Sequence, residues 1–159
     1  MWEKILLVSG LVLACSFGAN AQDASGDLAI IVGKSSGLDN VTTAELVKIF
    51  KAEKAKGPDG VKFALTMRES GSPERASALS RIFSMSEAEY GKYFLQATFT
   101  GAVTAAPKQL ASAAAVKQFV AGTAGGIGYV KGSEADDLVR VLKVDGKAPG
   151  EAGYPLKIK

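Results

Sequence analysis

Leu28-Ala29-Ile30-Ile31-Val32 is an unbroken apolar run that stops at Gly33. Side chains on a strand point alternately to opposite faces, so a run with no polar alternation must be covered on both sides. The run reads as a buried strand of a mostly parallel sheet flanked by helices. The rest of the chain supplies those layers. Thr42 followed by Glu45 is a capping box, opening a helix with Leu46, Ile49 and Phe50 on its apolar face. Val61 to Met67 alternates and reads as a second strand ending at Arg68. Ser72 suits a helix N-cap with Pro73 at the first helical position, and Ala76, Leu79, Ile82 and Phe83 form the expected buried stripe. Ser86 and Glu89 form another capping box, before a helix with Tyr90, Tyr93, Phe94 and Ala97 on one face. Thr100 to Pro107 reads as a loop, and Ser112 starts a helix that Gly122 stops. Gly126 to Val130 reads as a third strand whose glycines admit close backbone approach, and Leu138 to Val144 as a fourth. The tail from Lys147 reads as peripheral. This order predicts a three-layer α/β domain over 28–146, followed by a C-terminal tail, 147–159.

The start of the chain speaks to compartment. Lys4, the uncharged run Ile5 to Phe17 and the small residues of Ala19-Asn20-Ala21 form the three parts of a secretory signal peptide, expected over 1–21. A polar leader, 22–27, follows. The uncharged run falls short of the ~20 residues that a spanning helix needs, so no membrane span is expected. Cys15, after Val12-Leu13-Ala14, resembles a permissive lipobox but competes with the better-formed Ala19-Asn20-Ala21 site. The expectation is a periplasmic or secreted protein, with a lipoprotein through Cys15 as the lesser route.

Several chemistries drop out at once. The chain has no His, and its one Cys lies in the signal segment. Past that segment there is no disulfide, thiol nucleophile, Ser-His-Asp triad or His/Cys zinc site. No catalytic residue, metal ligand or cofactor is assigned, and enzyme action ranks last among the readings. A net charge of +3, evenly spread, does not point to nucleic acid.

One segment concentrates binding chemistry. Arg68-Glu69-Ser70-Gly71-Ser72-Pro73-Glu74-Arg75 joins a strand to a helix start and holds two of the chain's four arginines. Free amide groups at a helix start favour an anion, and Ser70 and Ser72 add hydroxyl donors. Gly71 allows close backbone approach, and Arg68 offers a planar fork that matches two oxyanion oxygens. The plainer reading makes Ser72 an N-cap and nothing more. Ser35 and Ser36, at the end of the first strand, add donors at a sheet edge where open α/β folds hold ligands, with a simple Ser-Ser-Gly turn as the alternative.

Three pieces occur here in a familiar order and spacing: Thr43-Ala44-Glu45-Leu46-Val47-Lys48-Ile49-Phe50, Met67-Arg68-Glu69-Ser70-Gly71-Ser72-Pro73 and Gly125-Gly126-Ile127-Gly128-Tyr129-Val130. Together they resemble the phosphate-type periplasmic solute-binding proteins of ABC transporters, over about Leu28 to Val144. The resemblance implies a single lobe of the type II periplasmic-binding-protein-like fold. It also implies an anion-clasping arginine at Arg68, a loop glycine at Gly71 and a hydroxyl donor at Ser72. Full-length members close two lobes over an oxyanion. Where the family continues with Gly and Thr, this chain has Pro73 and Glu74, which remove one N–H donor and add a like charge. The expected function is therefore exported, weak binding of phosphate or sulfate. The alternative is an interaction module with a decayed anion site, docking on an envelope protein partner or a second copy as a homodimer.

Overall fold

A computed structural model describes residues 24–159 of the chain. The expected signal peptide with Cys15, and the first residues of the leader, lie outside the described residues.

Strand β1 (Leu28–Val32) is buried along its whole length, as its sequence requires. It lies inside a five-stranded sheet with β3 (Ala64–Arg68), β4 (Lys108–Leu110), β5 (Gly126–Lys131) and β6 (Arg140–Val141), in the order β4-β3-β5-β1-β6. Leu28, Ile30 and Val32 face one core with Met67, Ile127 and Tyr129. Into it pack α1 (Thr43–Phe50), the π turn Leu79–Phe83 and α3 (Glu87–Phe99). Ala29 and Ile31 face a second core with Val116 and Val120 of α4 (Ala113–Gly122). Helices therefore cover both faces, which is the three-layer α/β architecture expected.

The sheet is mixed rather than mostly parallel. β3 runs parallel to β4 and β5, but β1 is antiparallel to both of its neighbours. A continuous apolar run reports cover on two faces and carries no information about the direction of adjacent strands. The fourth strand splits at Leu142. β6 pairs with β1, whereas β7 (Lys143–Val144) crosses to a small parallel ribbon with β2 (Asn40–Val41). The short edge strand β4 lies just past the loop expected over Thr100 to Pro107, in residues to which the sequence assigned no element, and its Lys108 and Gln109 are exposed.

Local signals hold where they concern a few adjacent residues. Both capping boxes form, Thr42 with Glu45 and Ser86 with Glu89, and Ser72 and Ser112 each cap a helix. Gly126 permits the expected close approach: a Cβ there would come within 2.8 Å of the Val120 main chain.

Two expectations change. The tail from Lys147 is not peripheral, because Tyr154 and Leu156 are buried in the first core. The Tyr154 hydroxyl donates to the Leu28 carbonyl at 2.7 Å, and the Leu28 amide donates to the Leu156 carbonyl at 2.8 Å. The buried face of α2 (Pro73–Ala78) also differs, for Ala76 is exposed while Glu74, Arg75, Ser77 and Ala78 are buried. Apolar periodicity does not register side chains that are buried by pairing with charge.

Candidate functional site

β3 and β5 run side by side in the same direction, with Ala64 opposite Gly126 and Leu65 opposite Ile127. Their C-terminal ends therefore meet, which brings Arg68 and Lys131 to one end of the sheet. The chain turns after Arg68 through Glu69-Ser70-Gly71 and enters α2 at Pro73. Gly71 has φ +91°, a region that suits glycine, and open space surrounds the position of its missing Cβ.

Arg68 is held but incompletely partnered. Its Nη2 donates to the Ala111 carbonyl at 3.2 Å, and its Nε, though buried, has no acceptor among the described residues. Nη1 lies 3.8 Å from Oε2 of Glu74, whose side chain is only 4% exposed. The other carboxylate oxygen of Glu74 is 3.5 Å from the Lys131 ammonium. Buried Oε2 accepts no hydrogen bond among the described residues. The expected picture of Glu74, a first-turn charge that repels an anion from solvent, is replaced by a desolvated carboxylate between two cations.

The second arginine of the segment is arranged differently. Arg75 is 1% exposed and grips Glu87 with Nε at 3.1 and 3.2 Å and Nη2 at 2.5 Å. Its Nη1 donates to the Arg68 carbonyl at 3.2 Å, and the guanidinium lies 4.6 Å from the centre of the Tyr90 ring. Hydrogen bonding from Arg75 holds the Glu87 carboxyl below its ordinary range, with Ser70 contributing. Burial pushes the Tyr90 phenol up to about 12.

Both serines of the loop have internal work. The Ser70 hydroxyl donates to Glu87 at 2.9 Å. The Ser72 hydroxyl donates to the Glu69 carbonyl at 3.1 Å and accepts from the Arg75 amide at 3.2 Å, so it is the N-cap of the plainer reading. Ser35 and Ser36 are not brought to Arg68. Because β1 is antiparallel to β5, its C-terminal end lies beside Gly126, at the opposite end of the sheet. There the two serines line a separate cleft of about 220 Å³ with Asp59 and Gly125. Ser36 also forms the turn, its hydroxyl accepting from the Leu38 amide at 3.2 Å.

Lys131 is the member of this cluster that sequence reasoning passed over. It follows directly on Gly126-Ile127-Gly128-Tyr129-Val130, and parallel pairing with β3 was the missing clue. Among the described residues no group of three His, Cys, Asp or Glu side chains could hold a metal ion. No helix there is long and apolar enough to cross a membrane.

The described fold is a single α/β lobe of the type II periplasmic-binding-protein kind. Its likeness among solved structures is to phosphate receptors of ABC transporters. An ABC-type phosphate transport receptor from Vibrio cholerae superposes with a TM-score of 0.63 at 20% identity, over 77% of this chain and 48% of that one. PstS from Borrelia burgdorferi superposes with a TM-score of 0.65 at 19% identity, over 84% of this chain and 55% of that one. The chain thus spans about half the length of these proteins. No protein-family model and no curated protein matches the sequence.

Proposed function

We propose that this chain is an exported solute-binding-like protein that takes a small oxyanion, phosphate or sulfate, weakly at the β3–α2 loop. Arg68 carries the reading. Its guanidinium is fixed at the end of the sheet by one backbone carbonyl, keeps Nε without an acceptor among the described residues, and has Lys131 as a cationic companion across Glu74. A fixed, under-used fork beside a second cation is suited to an anion rather than to packing. Gly71 and the likeness in fold to phosphate receptors support the same reading.

Weakness follows from the surroundings. Glu69, Glu74 and Glu87 gather negative charge at the loop, and Ser70 and Ser72 donate to acceptors of the protein. Arg68 and Lys131 already face the Glu74 carboxylate, so an incoming anion must compete with it for both cations, which points to millimolar binding, roughly 4 kcal/mol. Enzyme action has less support: the one carboxylate beside a serine hydroxyl, Glu87 next to Ser70, is gripped by Arg75 and held below its ordinary range, which makes it a poor base for activating that hydroxyl.

Isothermal titration of the secreted form with phosphate and with sulfate tests the proposal. Binding at about 1 mM is expected, with loss of the signal in Arg68→Met. Micromolar affinity, or equal binding by Arg68→Met, would overturn it. A second reading, docking on an envelope protein or a second copy, is favoured by α3, where Leu95 and Phe99 are 74% and 90% exposed one turn apart. A wild-type protein silent to both anions makes this second reading the better one.

A further inference from the structure

We infer that Glu74 is a built-in ligand: its carboxylate occupies the anion position between Arg68 and Lys131 and keeps free oxyanion out. The inference rests on reading the β3–α2 loop as an anion-recognition element, and it names the cause of the weak binding.

A glutamate in the first turn of a helix ordinarily reaches into water, where its charge complements the helix end at little cost. Glu74 turns inward instead and is 4% exposed, with one oxygen towards each cation. Desolvating a carboxylate is expensive unless hydrogen bonds replace its water. Here they do not. The cations stand at 3.5 and 3.8 Å, beyond the roughly 2.7–2.9 Å of a charge-assisted hydrogen bond, and buried Arg68 Nε donates to nothing among the described residues. The carboxylate thus neutralises the position without filling its hydrogen-bonding capacity. A tetrahedral anion has oxygens pointing in four directions and can meet both cations at once.

Arg68 cannot leave with the carboxylate. Arg68 ends β3 and is tied to the Ala111 carbonyl, which holds its guanidinium in place, and Lys131 ends β5, which keeps its ammonium within reach of the same position. Removal of the Glu74 charge would leave a fixed, mostly buried Arg68 without a counter-charge, with the Lys131 ammonium beside it. Such a pair recruits an anion from solution. Small tetrahedral oxyanions are the class expected, with acetate as a mimic of the lost side chain.

The test compares wild-type protein with Glu74→Gln, which keeps the side-chain volume, and Glu74→Asp, which keeps the charge on a shorter arm. Melting curves and titrations are run with phosphate, sulfate and acetate against chloride at matched ionic strength. Glu74→Gln should bind phosphate about tenfold more tightly than wild type and gain thermal stability with phosphate or sulfate. Glu74→Asp should respond less than Glu74→Gln. The double variant Arg68→Met/Glu74→Gln should lose the gain. If Glu74→Gln binds phosphate no better than wild type while wild-type binding still depends on Arg68, Glu74 is no internal ligand and the proposed function stands. If neither protein responds to any anion, that function falls together with this inference. An equal response from Glu74→Asp and Glu74→Gln would also overturn the inference, because the charge would then not be what closes the site.

Discussion

Arg68 and Arg75 stand on either side of one short loop, and their surroundings differ sharply. Arg75 is closed in on every side, with Glu87 on Nε and Nη2, the Arg68 carbonyl on Nη1 and the Tyr90 ring against its plane. Arg68 has one carbonyl, one carboxylate at 3.8 Å and an idle Nε. A guanidinium with every nitrogen bonded is part of the fold, locking α2 to the start of α3. One with a direction to spare, fixed in place and mostly desolvated, carries unspent binding capacity. The difference separates scaffold from candidate site within eight residues of sequence.

The largest consequence lies on the Arg75 side. Arg75→Met should destabilise the protein by about 3 kcal/mol, since it breaks a buried pair and frees the Arg68 carbonyl. Half-exposed Glu87 can regain water, which keeps the loss below the top of the range for buried pairs. Thermal melting should show a fall of about 10 °C. A variant as stable as wild type would erase the distinction between the two arginines.

A smaller effect is expected on the other side. Arg68→Met/Glu74→Met removes both poorly bonded charges together and leaves Lys131, 38% exposed, free to reach water. Replacing a buried ion pair by apolar side chains is often neutral or stabilising. Denaturant unfolding should therefore place this double variant within about 1 kcal/mol of wild type. A loss as large as that of Arg75→Met would mean that the Arg68 cluster is scaffold too.

Much of this fold was legible because its signals are local. A capping box is a matter of four residues, and both were read correctly from Thr42-to-Glu45 and Ser86-to-Glu89. The fully apolar β1 demanded cover on both faces and has it. What was illegible depends on pairing between distant segments. Nothing in Leu28 to Val32 states that β5 runs the opposite way, and that direction sends Ser35 and Ser36 to the far end of the sheet. Nothing in Gly126 to Lys131 states that Lys131 ends beside Arg68; the parallel register with β3 does that. Burial of Glu74 and Arg75 was hidden for the same reason, since a charged side chain goes inside only where partners from other elements wait for it. The tail misled through composition: lysines, glycines and prolines surround Tyr154 and Leu156, the two side chains that enter the core.

A crystal of Glu74→Gln soaked in selenate gives the most direct view of the position between Arg68 and Lys131. An anomalous peak within hydrogen-bonding reach of both cations is expected, with Arg68 Nε among the donors. The wild-type crystal, soaked in the same way, should show the Glu74 carboxylate there and a peak of clearly lower occupancy. Selenate bound only elsewhere in Glu74→Gln, with Arg68 still bonded to nothing but the Ala111 carbonyl, would contradict the account.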